Sequence, residues 1–143
     1  AHYSNPMDVL MEIADEILGD VQGFFADFSF TDFLKNPMPL LLRVEKLVMD
    51  NLDFYRRINL NTASIGFTDQ IKKILVEYIS SNKSVPEHLR NNPHFTVALE
   101  LFAGGLISVY LGFVLGTIRV NAREITETIS ILISQSALLL FVK

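Results

Sequence analysis

The last third of the chain decides most of what it can fold into. Between Glu100 and Arg119 run 18 residues without a charge, and another 15 follow Glu127 up to Val142. Such segments are stable in water only where other protein covers them, whereas a membrane span needs about 20 apolar residues. Half of the residues are hydrophobic and the mean hydropathy is +0.33. With 143 residues the chain has the size of a single domain able to bury its own core. That hydropathy implies either a generous core or an apolar surface covered by a partner.

Spacing within the two runs narrows the choice. Gly104, Ser108, Gly112 and Gly116 recur every fourth residue, along one line of a helix, where another helix can approach closely. Gly112 and Gly116 also form a GxxxG, which membrane helices use, so this line alone does not decide. The final run sets Thr126, Ser130 and Ser134 in a polar stripe beside Ile125, Ile129, Leu132 and Ile133. A helix bathed in lipid has no use for such a stripe, and both runs fall short of a full span. The pattern therefore predicts two helices buried on most sides. Two copies of this hairpin packed about a twofold axis make a four-helix bundle. In that arrangement Gly104, Ser108, Tyr110, Gly112, Phe113, Ile129 and Ile133 form the homodimer interface. A monomer with one large core, and a membrane hairpin, are the competing readings.

The preceding chain reads as an amphipathic helical bundle. Asn5-Pro6 opens a helix, and Leu10, Ile13, Ala14, Ile17, Leu18, Val21, Phe24, Phe25 and Phe28 follow at helical spacing with acids opposite. Gly19 and Gly23 blur its end. Asn36-Pro37-Met38-Pro39 is a break. A second helix runs from Leu40 to about Asp50, with 51–58 as its continuation or a separate short helix. Residues 59–64 are turn-like, and Phe67 to Ile79 is a further amphipathic helix. Ser80 to Pro93 is the clearest loop, in which Ser84-Val85-Pro86-Glu87 has the form of a cap for a short turn. Asn92-Pro93 starts the longest apolar helix, which ends near Gly116. Asn121-Ala122-Arg123-Glu124 resembles a capping box and opens the last helix, which runs to Phe141. No strand alternation or repeat is present, so the expected fold is an all-α antiparallel bundle.

Charge and composition exclude several chemistries. The first 34 residues hold seven acids and no Lys or Arg, the opposite of a phosphate-binding face. There is no cysteine, which excludes disulfides and thiolate sites and fits a cytoplasmic setting. His2, His88 and His94 have no HExxH spacing, and no phosphate loop, GxSxG or dinucleotide fingerprint occurs. No catalytic residue, metal ligand or cofactor is expected.

The opening His2-Tyr3-Ser4-Asn5-Pro6-Met7-Asp8-Val9-Leu10 resembles the stretch of TetR-family transcription regulators where the DNA-recognition helix ends and the next helix begins. Pro6 stands where that family commonly has Lys. Asp50 to Arg56, with its Phe54-Tyr55, is similar to a short segment of one branch of the family. Phe102-Ala103-Gly104-Gly105-Leu106-Ile107 resembles the start of that branch's dimerisation helix, and 121–133 its final helix. The resemblance implies a C-terminal dimerising and effector-sensing domain, with the helix-turn-helix expected upstream of Ala1 and DNA contacted only through it. It also implies a pocket for a small hydrophobic effector. Phe24, Phe28, Tyr55, Phe67, Tyr78 and Phe102 are the candidates to line it, two of them offering phenol hydroxyls. A plain core role is the more common one for any single aromatic residue of this kind. A helical adaptor that dimerises without any ligand is the alternative from another class.

Overall fold

The computed structural model describes residues 6–59 and 65–140. Among them the regular structure is helical throughout: α1 (Pro6–Gly23), α2 (Phe30–Lys35), α3 (Met38–Asp50), α4 (Leu52–Asn59), α5 (Ile65–Ser80), α6 (Glu87–Arg90), α7 (Pro93–Leu115) and α8 (Ala122–Leu140). The Asn5 cap, residues 60–64 and Phe141 lie outside the described residues.

Periodicity explains the first helix well. Ala14, Ile17 and Val21 are buried on one face of α1, while Asp8, Glu12, Asp15, Glu16 and Asp20 stay exposed. Gly23 is where α1 stops, and Phe24 to Asp27 turn the chain. Two elements depart from the sequence expectation. Residues 30–35 form a separate helix, α2, whose cap Ser29 accepts the Asp32 N–H. Ser84 does not cap its own turn: its hydroxyl accepts the Phe30 N–H at 2.8 Å, 54 residues away, and so pins the start of α2 to the 81–86 loop. That tie seats Phe30 edge-on against Phe95, at 5.6 Å between centroids.

Between α3 and α4 the break is one residue wide. Asn51 makes it, with its backbone N–H bonded to the Val48 carbonyl and its side-chain amide to the Leu47 carbonyl. The last two caps follow the sequence closely. Asn92 Oδ1 accepts the His94 N–H, and Asn121 Oδ1 accepts the Glu124 N–H while its amide donates to Glu124 Oε1. Gly116 closes α7 in the left-handed region (φ 81°), from which the Thr117 and Ile118 N–H groups both reach the Gly112 carbonyl.

The helices pack around α7. It lies against α5, α4, α6 and α8, and α8 in turn lies against α3. Tyr110 meets Thr126, while Ala103 and Ala137 line one cavity further along, so α7 and α8 run antiparallel. One core joins α1, α4 and α5 through Ile17, Phe54 and Phe67, and a second joins α3, α7 and α8 through Leu41, Tyr110, Val114, Ile125 and Ile129. Burying a side chain as completely as Ile17 or Leu41 contributes about 2 kcal/mol each.

α7 runs from Pro93 to Leu115 as expected, and at 23 residues it is longer than its 18-residue uncharged run, because Pro93 to Leu99 extend the apolar stretch on the far side of Glu100. By length and composition it is able to cross a membrane, so shortness is no argument against that reading. The polar stripe of α8 is not a wet side either. Thr126 and Ser130 are buried, and the hydroxyls of Thr126 and Ser134 return to carbonyls one turn back, at 3.0 and 2.9 Å. A hydroxyl satisfied by its own helix is cheap to bury. The stripe turns inward, and Ile131, Leu132, Leu138 and Leu139 are left exposed instead.

Candidate ligand-binding site

Three concavities meet along α3. The first, about 100 Å³, lies among α2, α3, α5, α7 and α8 and is walled by Phe33, Leu34, Leu40, Leu41, Phe102 and Ile133 among others. The second, about 80 Å³, lies among α1, α3, α4, α5 and α7, with Val21, Phe24, Leu47, Tyr55, Ile71 and Leu111 in its wall. Val44, Leu75 and Leu106 belong to both, so a partition one side chain thick separates them. The third is a wider cleft of about 300 Å³ at the turn after α1, bordered by Asp27, Ser29, Asp32, Asn36 and Arg43. It shares Phe33 and Leu40 with the first cavity and Phe24 with the second.

The first two cavities are almost wholly apolar, which follows from the elements that wall them. α3, α5 and α7 present Val44, Leu75 and Leu106 from their inward faces, where no hydroxyl or amide is needed to satisfy a helix end. The cleft mixes polar side chains with Phe24, Phe28, Phe33 and Leu40, because it sits where chain turns expose caps and acids. Arg43 places its guanidinium 4.7 Å from the centroid of Phe24, a cation–π contact at the point where the cleft meets the second cavity. Burial raises the Tyr55 hydroxyl above the ordinary tyrosine range, with Asp20 adding to the shift. That phenol remains a neutral donor at any ordinary pH.

Four of the six ligand candidates from the sequence line these spaces: Phe24, Phe28, Tyr55 and Phe102. Phe67 is instead packed in the core against Phe54, and Tyr78 is exposed at the edge, stacked on Phe25. With the rings at its margins, the centre of the arrangement is formed by aliphatic side chains, Val44, Leu75 and Leu106. Each falls on the apolar face of its helix, a signal shared with every other core residue.

The dimer candidates divide differently. Ser108 is exposed, and Gly104 and Phe113 are half-buried. Tyr110, Gly112, Ile129 and Ile133 lie inside the chain's own core. Gly112 is small for a local reason: a Cβ there would come within 2.7 Å of Ile118 Cδ1, where the turn after α7 folds back. The line of small residues thus serves three purposes, with Gly104 against the Lys72 stem, Gly112 under Ile118 and Gly116 as the helix cap. Among the described residues the open large apolar side chains of this hairpin are Val97, Leu101 and Leu115 on α7, Val120 in the turn, and Ile131, Leu132, Leu138 and Leu139 on α8. Leu101 is 68% and Leu139 79% exposed, values far above those of core residues.

Polar groups lock the scaffold around the cavities. Arg123 grips Glu45 through Nε and Nη2, both at 3.0 Å. Tyr110 donates to the Thr126 hydroxyl, whose own proton is shared between Glu45 Oε1 and the Ala122 carbonyl. The bond from Arg123, aided by that from Thr126, holds the Glu45 carboxyl below its ordinary range against the opposing effect of burial. Glu100, on α7, is exposed and pairs with Lys72 of α5 at 2.8 Å. Arg56 donates to the Val114 carbonyl at the end of α7, where its positive charge also complements the negative end of the helix dipole. No group of three His, Asp or Glu side chains able to hold a metal ion occurs among the described residues. Compared with protein-family models, curated proteins and solved structures, the chain matches none.

Proposed function

We propose that this chain is the regulatory domain of a TetR-like transcription regulator, a homodimer that binds a small hydrophobic effector and acts on DNA only through a separate helix-turn-helix. The observation that carries the reading is the pair of apolar cavities sharing one partition, set between the long hairpin α7–α8 and the helices before it. Val21 and Phe24 of α1 belong to the wall of the second cavity. An occupant there bears on the helix that, in this reading, continues toward the DNA-binding part. Effector binding then favours one placement of the two DNA-binding heads over another, a population shift set by the difference in affinity between the two states. The exposed apolar side chains of α7 and α8 supply the contact between copies, a face water disfavours leaving open.

Light scattering on the chromatographed protein in detergent-free buffer tests the dimer. The expected mass is that of two chains, and Leu101→Glu combined with Leu132→Glu is expected to halve it with the helical circular dichroism unchanged. Tyr110→Glu is unsuited to this purpose, because it places a charge in the chain's own core and unfolds the protein instead. A monomeric wild type defeats the interface, and protein extractable only with detergent favours the membrane hairpin. A clean dimer that binds none of the probes named below favours the ligand-free adaptor.

A further inference from the structure

Resting on the reading of the cavities as an effector site, the geometry points to the shape of the effector: we infer that it is a single-chain amphiphile with an unbranched aliphatic tail. The tail runs through both cavities across the Val44, Leu75 and Leu106 partition, and an uncharged or cationic head lies in the cleft beside Arg43.

Three observations converge on this. First, each cavity alone, at about 100 and 80 Å³, is smaller than an apolar cavity of ~150 Å³ that holds one benzene. A compact ring therefore requires either half to widen, whereas a chain of methylene width needs only the three partition side chains to change rotamer. Second, the two dry spaces adjoin each other across Val44, Leu75 and Leu106, and they adjoin the cleft across Phe33 and Leu40 on one side and Phe24 on the other. A ligand that fills them is long, narrow and polar at one end only. Third, the cleft holds two carboxylates, Asp27 and Asp32, against the one guanidinium of Arg43, which already faces the Phe24 ring. A carboxylate head meets net repulsion there; a hydroxyl or an ammonium does not.

Isothermal titration with decanol, adamantanol, decylamine and decanoate, each below its aggregation limit, tests the inference on the whole chain. Decanol and adamantanol have the same carbon number and differ in shape. Decanol is expected to bind one per chain and adamantanol at least tenfold more weakly, with decanoate the weakest of the three linear probes. Adamantanol binding as tightly as decanol overturns the linear tail while leaving an effector site in place. Decanoate binding tightest overturns the placement of the head. If no probe binds, the effector-site reading itself falls. Filling one half sharpens the test: Ala98→Leu narrows only the first cavity. It is expected to weaken decanol at least tenfold while butanol, short enough for one half, binds as before. Two butanol sites per chain with decanol unaffected by Ala98→Leu would mean two separate pockets, and no channel. Thermal melting of the variant shows that it is folded, so loss of decanol binding is read as loss of room.

Discussion

Tyr110 stands between two regions built on opposite principles. Its ring lines the second cavity, where nearly every neighbour is aliphatic and space is left over. Its hydroxyl enters the junction of α3, α7 and α8, where Thr126, Glu45 and Arg123 leave no buried side-chain polar atom unpaired among the described residues. Burial raises the Tyr110 hydroxyl, partly offset by the bond with Thr126, so it stays protonated and serves as a donor. The polar region is directional and fixes how α8 sits on α3. The dry region is non-directional and tolerates a guest. Close-packed interiors seldom leave such voids, because each unfilled contact forfeits dispersion energy. A fold that anchors its hairpin by hydrogen bonds at one end is free to leave its packing incomplete at the other.

The largest expected effect is on the dry side. Leu41 is 2% exposed and forms part of the wall of the first cavity. Leu41→Ala should destabilise the protein by about 3 kcal/mol, because it enlarges a void the surroundings are too rigid to close. Urea denaturation followed by circular dichroism measures this as a lower midpoint at unchanged slope. A loss under about 1 kcal/mol would mean that the region collapses readily and holds no persistent cavity.

Next in size is the polar junction. Thr126→Val keeps the side-chain shape but removes the only hydroxyl between Tyr110 and Glu45, and should cost about 2 kcal/mol through the partners left unsatisfied. Combining it with Tyr110→Phe should recover part of that loss, since the orphaned donor is then gone. A double variant whose cost is the plain sum of the two single ones would show that the hydroxyls do not act as a unit.

Glu45 makes the same region sensitive to acid, unlike the dry one. Its folded carboxyl titrates below the ordinary value of 4.5, chiefly through the hydrogen bond from Arg123. The ionised form is the one the fold favours, so its stabilisation is complete above that value and is lost as pH falls through the lower, folded value. The melting temperature of wild type should exceed that of Glu45→Gln at pH 7, and the gap should close as the solution is taken well below pH 4.5. A gap that persists unchanged in acid would assign the difference to shape, with charge playing no part. Leu41→Ala should show no such pH dependence.

Much of this was legible in the sequence, and what was not has a physical cause. The helices and their caps at Asn92 and Asn121 follow from local rules, since a cap and the turn it serves lie within three residues of each other. α2 has little sequence signature, because its six residues carry too little periodicity, and its start is held by the Phe30 N–H donating to the Ser84 hydroxyl, 54 positions on. The apolar character of α7 was plain, but which side it shows to solvent was not, because a helix apolar all round carries no directional pattern. Gly112 illustrates the limit well: the sequence shows a small residue on a line of small residues, and only the turn after α7 reveals that Ile118 fills the space. The cavities were least legible. A void is the absence of atoms, and Leu75 or Leu106 is written in sequence like any other core leucine.

The smallest expected change in stability tests the comparison most directly. Ala98 is half-buried and borders the first cavity. In a filled core, replacing Ala by Leu overpacks and costs about 1–3 kcal/mol. Here the added methyl and methylene groups have room, and Leu is nearly as good a helix former as Ala. Ala98→Leu should therefore change stability by less than about 1 kcal/mol in either direction, because the new dispersion attraction offsets the rotamer freedom lost. The same substitution at Ala137, also bordering that cavity but 3% exposed and packed on the α8 side, should cost more. Equal and large costs at both positions, read from the urea midpoints, would show that the dry region is as fully packed as the polar one. A near-neutral Ala98→Leu beside a costly Ala137→Leu would locate the free space on the α7 side, next to the partition at Leu106.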